Sequence, residues 1–331
     1  MRRFLVLLGL AACAGEAPRT PAAEQPPPPP PASAATLVGE YSDGADTLSV
    51  LERDGALWLL SWGGDEWTLA PTSDSTFSVP GPLETVRVVA GAGGAPSLVA
   101  GAQAYARLAL GAEGGESFRI TPLRPPEELL SEALAAAPPA EEGDFLDADF
   151  VELVALDPTI RLDVRYATKN NFMGEVFYSE ARAFLQRPAA EALVRAHRWL
   201  GERGYGLLIH DGYRPWYVTK MFWEATPEPL RTFVADPSRG SRHNRGCAVD
   251  LTLYDLATGE PVEMPGGYDE FSPRSFADYR GGTSRQRWHR ELLRQAIEAQ
   301  GFTANLTEWW HFDHTDWRRY RIGNRRFEEL D

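Results

Sequence analysis

Three short segments hold most of the side chains in this chain that could bind a metal or move a proton. The first runs Ser241-Arg242-His243-Asn244-Arg245-Gly246-Cys247-Ala248-Val249-Asp250. His243 and Asp250 are both of the type that ligates a divalent ion such as zinc, and Gly246 between them can supply the turn that redirects the chain from loop to strand. The second is Glu308-Trp309-Trp310-His311. Its imidazole could hold a metal while the carboxylate grips a water on that metal. Positions so spaced face opposite sides of a regular strand, so the pairing requires a strand end, a twist or a bulge. The third, Asp211-Gly212-Tyr213-Arg214-Pro215, follows an apolar run and would place Arg214 at a sheet edge. Taken singly, each segment reads equally well as structure: a His with an Asp some way behind it is common, and Trp309 and Trp310 suit a core.

The remaining candidates read as bystanders. His314 reads as a residue outside the ligand set or on the surface, His210 as a packed residue before the Arg214 loop, and His197 and His289 as surface residues of helices. Cys247 reads as a small residue packing behind the ligands.

Elements able to carry these segments are visible from residue 149 onward. Pro188 to Gly204 has an amphipathic stripe, Ala192, Leu193, Ala196, Trp199 and Leu200, with Gly204 as its stop. Tyr205 to His210 and Ala248 to Tyr254 read as buried strands, and Gln286 to Gln300 as a second helix ending at Gly301. Strands and helices are interspersed without a nucleotide-binding glycine loop. This predicts an α+β domain with a central antiparallel sheet flanked by helices over residues 149–331. Residues 37–122 read instead as a small all-β, barrel-like domain. Short stretches such as Thr47 to Leu51, Ala56 to Leu60, Thr76 to Val79, Val86 to Val89 and Phe118 to Ile120 are separated by turns such as Asp54-Gly55. A connector, 123–148, with one possible helix from Pro126 to Ala137, joins the two.

Ahead of the barrel-like region, residues 13–36 are rich in Ala, Pro and Glu, with an unbroken proline run from Pro26 to Pro31 that favours an extended spacer. Residues 1–12 begin with Arg2 and Arg3 and continue in an apolar run, Phe4 to Ala12, too short to span a bilayer. The run ends in Leu10-Ala11-Ala12-Cys13, which resembles a bacterial lipobox. That resemblance implies cleavage before Cys13, a lipid on its thiol and a place in the cell envelope outside the cytoplasm, with the membrane reached through the anchor. The composition, 43% hydrophobic and 24% charged over 331 residues, supplies ample core, and a formal net charge of −14 argues against nucleic acid or an anionic membrane surface as the main partner.

In order along the chain, Asp163-Val164-Arg165-Tyr166-Ala167-Thr168, Asn171-Phe172-Met173-Gly174, Asp211 to Pro215, Ser241 to Leu253 and Glu308 to His311 together resemble the D-alanyl-D-alanine dipeptidases, the VanX-type zinc metallopeptidases. The resemblance implies one zinc ion held by His243, Asp250 and His311, with a place left for water. It implies Glu308 as the proton-transferring carboxylate and Arg214 as the group facing the scissile carbonyl. Ser241 and Asp269, in Gly267-Tyr268-Asp269, match the positions near the dipeptide's ammonium group, and Tyr166 and Tyr178 match pocket tyrosines. The opening Leu37-Val38-Gly39-Glu40-Tyr41 resembles the start of lipocalin-like accessory domains, which could bind a ligand, shield the enzyme or space it.

The expectation is therefore hydrolysis of D-Ala-D-Ala or a similar small dipeptide in peptidoglycan turnover. A D,D-carboxypeptidase trimming stem peptides is the nearest alternative, and a non-catalytic wall-binding lipoprotein is the alternative of another kind. An anchored, stalked enzyme would meet dipeptides released from the wall, which favours salvage or remodelling over glycopeptide resistance.

Overall fold

The computed structural model describes residues 25–330 apart from 62, 81–83, 92–94 and 110–116. The expected signal peptide and Cys13 lie outside the described residues. A helical turn, α1 (Ala32–Ala35), ends the proline-rich stretch, and Ala34 packs against the β core that follows. The last part of the expected spacer thus closes a turn, as its alanines permit and its prolines do not, and half-buries Ala34.

Eight strands follow: β1 (Gly39–Ser42), β2 (Thr47–Arg53), β3 (Ala56–Ser61), β4 (Glu66–Ser73), β5 (Thr76–Ser78), β6 (Thr85–Ala90), β7 (Pro96–Ala100) and β8 (Gln103–Arg107). Each pairs antiparallel with the next, and β8 returns to β1 through Tyr41↔Arg107, closing a barrel. The β2–β3 hairpin turns on Asp54 and Gly55, at φ 52° and 80°, the left-handed pair that a tight two-residue turn demands. Alternation sends Leu48, Val50, Leu57, Leu59, Phe77, Val86 and Leu98 inward, where they fill the barrel.

Phe118 to Ile120 is not a strand. Phe118 and Ile120 pack instead on the core of the C-terminal half, with Ile120 N donating to Phe172 O at 3.0 Å. Alternating apolar residues alone could not say which of two cores they join. The helix α2 (Pro126–Ala135) buries Leu129 and Ala133.

The C-terminal half contains β9 (Phe150–Glu152), α3 (Leu153–Leu156), β10 (Arg161–Leu162), β11 (Phe184–Gln186), α4 (Arg187–Gly201), β12 (Tyr205–Asp211), α5 (Trp216–Ala225), β13 (Ala248–Asp255), α6 (Ser284–Glu298), β14 (Phe302–Ala304) and β15 (His311–His314). Five strands form one sheet in the order β10-β12-β13-β15-β14, and β9 pairs with β11 apart from it. The sheet is antiparallel except at one edge, where β10 runs parallel to β12. Two residues gave too little pattern to read beforehand. The helices α4 and α6 touch each other and pack on β12, β13 and β14. Among the described residues no helix is long and apolar enough to cross a membrane.

The expectation that His197 and His289 are surface residues is corrected, since both are buried. His197 Nδ1 accepts from Leu207 N at 3.1 Å and its Nε2 meets Thr159 Oγ1 at 2.8 Å; His289 Nδ1 meets Glu263 O at 3.2 Å. Each lies on the sheet side of its helix and satisfies polar groups there that an apolar residue would leave unpaired.

Candidate metal centre and active site

Strand register assembles the site. Asp211 on β12 lies opposite Asp250 on β13, and Asp250 lies opposite His311 on β15, so three side chains stand in one row across three strands. Residues directly opposite share a face with Cβ atoms about 5 Å apart. The row exists because β12 bulges between Ile209 and Asp211. In unbroken register His210, not Asp211, would oppose Asp250; the extra residue moves Asp211 into the site.

His243 comes from outside the sheet, on the short turn His243–Arg245 that Gly246 ends at φ 66°. A Cβ on Gly246 would meet the Phe150 ring at 2.4 Å, so both the turn and the packing require glycine. Glu308 precedes β15 in a turn closed by His311 N donating to Glu308 O at 3.1 Å. The strand end demanded by the Glu308 and His311 spacing is thus present, and Glu308 Oε2 lies 3.8 Å from His311 Nδ1.

Three potential ligand atoms converge. His243 Nε2 and His311 Nδ1 lie 3.2 Å and 3.0 Å from Asp250 Oδ1, and 3.1 Å from each other. A tetrahedral ion with bonds of about 2.0–2.1 Å sets its ligands roughly 3.3 Å apart, so the spacing fits a zinc-sized ion. Protonation points the same way. His243 Nδ1 faces the Gly212 carbonyl at 2.7 Å and His311 Nε2 faces Asp313 Oδ1 at 2.9 Å. Both partners only accept, so each of those nitrogens carries the hydrogen and turns the other ring nitrogen's lone pair toward Asp250. Two lone pairs and a carboxylate oxygen packed together call for a cation.

Burial opposes ionisation of Asp250, yet His243 and His311 hold its pKa well below the usual carboxylate range. Burial raises the pKa of Glu308, with His311 opposing the rise and Asp250 adding to it, and a raised pKa suits a group that must take up and release a proton. Asn305 Nδ2 donates to Glu308 Oε2 at 2.8 Å and sets the carboxylate's orientation. Arg214 is clamped by Asp211 Oδ2, at 2.9 Å from Nε and 2.8 Å from an η nitrogen, and that η nitrogen lies 3.4 Å from Asp250 Oδ2. Tyr268 donates to the same Asp250 oxygen at 3.1 Å.

Across the cleft, Tyr166 donates to Asp269 Oδ2 at 2.9 Å. Burial, with Asp250 adding to it, raises the Asp269 pKa well above its ordinary value. Ser241 Oγ accepts from His243 N at 3.2 Å. A cleft of about 420 Å³ is lined by Glu308, Arg214, His243, Asp250, His311, Ser241, Asp269 and Tyr166 together. Tyr178 is not on its wall. Fully buried, it donates to Asp211 Oδ1 at 2.8 Å and so supports the clamp on Arg214.

His314 faces away from the centre, against the Phe302 ring at 5.0 Å, and His210 packs on Tyr268 at 4.6 Å. Cys247 is buried, and burial pushes its thiol up to about 12. Sequence reasoning gave no role to Asp211, Tyr268, Asn305 or Asp313. Asp313 was within reach, being two residues from His311 and so on its face of β15; the others depend on a bulge and on irregular turns.

Comparison with known proteins agrees with this geometry. The sequence profile of the peptidase M15 family, D-Ala-D-Ala dipeptidase, matches residues 147–329. The D-alanyl-D-alanine dipeptidase of Escherichia coli is 34% identical over 165 residues, spanning 50% of this chain and 84% of that protein. That of Streptomyces coelicolor is 38% identical over 188 residues, 51% of this chain and 91% of that one. That of Enterococcus faecium is 36% identical over 174 residues, 46% of this chain and 85% of that one.

Proposed function

Because the chain belongs to the D-Ala-D-Ala dipeptidase family of peptidases, we propose that it is a zinc-dependent enzyme hydrolysing D-Ala-D-Ala or a close relative. The observation that carries this reading is the convergence of His243 Nε2, Asp250 Oδ1 and His311 Nδ1, all within about 3.2 Å of one another. When bound there, zinc supplies Lewis acidity and brings a water's pKa toward neutrality.

The chain's own residues do the rest. Glu308, half-buried and oriented by Asn305, takes the proton of the attacking water on a carboxylate oxygen and passes it to the leaving amine nitrogen. Arg214, held rigid by Asp211, donates to the oxygen of the scissile carbonyl as negative charge develops on it. Asp269 and Tyr166, with Ser241 nearby, hold the substrate's ammonium group. Asp269 is 6% exposed, and this buried carboxylate favours a dipeptide over the long stem peptide of a carboxypeptidase.

The lipobox-like Leu10 to Cys13 supports a lipid anchor and a place in the envelope outside the cytoplasm, where wall turnover would release such dipeptides. The test is hydrolysis of free D-Ala-D-Ala against a pentapeptide ending in it, with zinc content measured for wild type, His243→Ala and Glu308→Ala. The expected result is cleavage of the dipeptide only, loss of metal in His243→Ala, and loss of hydrolysis with metal retained in Glu308→Ala. Metal-free wild type, or full activity of Glu308→Ala, refutes the reading.

A further inference from the structure

The segment carrying Asp269 is largely irregular. Between Gly266 and Gly282 its one helical turn is Pro273–Ser275. Asp269 itself sits at φ 54°, a left-handed conformation uncommon for non-glycine residues, though aspartate tolerates it better than most. A loop of this kind needs outside support to hold a binding carboxylate to within about half an ångström.

Support comes at two places. Near the metal centre, Trp309 N donates to Ser275 O at 2.7 Å and Ala277 N to Leu306 O at 3.0 Å, lacing the loop to the turn that presents Glu308. At the far end the hold comes from the barrel. Tyr279 donates its hydroxyl to Glu40, and Arg280 pairs with Glu66, which Arg53 also binds at 3.0 Å. Ser284 N donates to the Glu52 carboxylate at 2.8 Å, while Glu52 N donates to Gly282 O at 3.1 Å. Arg287 closes the clasp, reaching Glu52 O at 2.7 Å and Gly282 O at 2.9 Å.

The barrel carboxylates are placed for this contact. Glu40 and Glu52 are 8% and 3% exposed, although Glu40 alternates with the inward Tyr41 and so points out of the barrel. A free-standing barrel would leave Glu40 in water. Glu52 shares the inward parity of Leu48 and Val50 and accepts from Gly55 N within its own hairpin at 2.6 Å, and its other oxygen is the one that reaches the second domain.

We propose that the barrel braces the substrate-binding loop, with Glu40 and Glu52 as positioning residues that act through Tyr279 and Ser284 to keep Asp269 where it meets the substrate's free ammonium group. This rests on the dipeptidase reading above. Preference for a free amino terminus is then a property that the accessory domain helps to enforce.

The test uses the full chain and compares wild type with Glu40→Gln, Glu52→Gln and their combination, with Tyr279→Phe breaking the same contact from the loop side. Kinetics are measured on D-Ala-D-Ala and on N-acetyl-D-Ala-D-Ala, with zinc content and Tm recorded for each protein. Misaligning one charge-assisted contact to the ammonium is expected to raise KM for the free dipeptide about tenfold in the double variant. The kcat, the zinc content and any residual cleavage of the blocked dipeptide are expected to stay near wild type. An unchanged KM, or an equal loss on both substrates accompanied by lost metal, overturns the brace while leaving the dipeptidase reading intact. Wild-type enzyme that cleaves neither substrate overturns both.

Discussion

Replacing Asp313 with alanine removes the acceptor from His311 Nε2 and leaves the three ligand atoms in place. The contact is 2.9 Å long and joins a carboxylate to a ring N–H, with the side chains 23% and 10% exposed. Partners of this kind contribute about 10–100-fold to metal affinity. Because the Asp313 side of the contact is open to water that can partly replace it, the lower part of that range applies, roughly 10–30-fold or ~1.4–2 kcal/mol. Arg242, which reaches Asp313 at 3.4 Å, is half-exposed and rehydrates at little cost. Burial pushes the pKa of His311 down, but Asp313, aided by Asp250, lifts it well above the imidazole range in the metal-free protein. A proton therefore competes with the metal in wild type, and Asp313→Ala weakens the grip on both. The difference between the two proteins should be widest at high pH, where no proton competes, and should narrow as pH falls. Competition with a chromophoric chelator at several pH values measures it. A metal affinity within about twofold of wild type at high pH would refute the tautomer argument for the whole centre.

Arg214→Lys should retain metal but lose about 10²–10³ in kcat, since one ammonium cannot both lie along Asp211 and reach the developing oxyanion; steady-state kinetics with metal analysis checks this. Gly246→Ala forces a side chain into φ 66° and against Phe150, and is expected to cost about 2 kcal/mol and lower Tm by roughly 4–8 °C in a thermal melt. The Cys247 thiol, pushed up to about 12 by burial, should resist alkylation at pH 8 in the folded protein and react once the chain is unfolded, read by mass spectrometry.

How far the sequence could be read depended on how local each signal was. The helix at Pro188 and the strands at Tyr205 and Ala248 carry periodicity or continuous apolar runs, and they form α4, β12 and β13 within a few residues of the expected bounds. The barrel was legible from its turns, because Asp54-Gly55 fixes a hairpin whatever surrounds it. The two-residue β10 and the segment at Phe118 were not, since only the finished core decides where so short a stretch belongs. Within the site, the converging His243, Asp250 and His311 were named from motif order. The partners that orient the site's functional groups were not. Asp211 enters through a bulge, Asn305 through an irregular turn, and Tyr178 looks like a pocket residue until its hydroxyl is seen to end on Asp211.

The row of Asp211, Asp250 and His311 has an implication for folding fidelity. Strand β13 is buried along nearly its whole length, with Val249 and Leu251 as deeply covered as Asp250. Its two faces still differ in chemistry: Val249, Leu251 and Leu253 join the apolar core, while Asp250 and Thr252 stand on the other side. A slip of one residue would drive Asp250 and Thr252 into that core and turn the apolar side chains toward the metal pocket. The alternation that packs the strand is thus the same one that aims its chemistry, with the β12 bulge bringing Asp211 into line.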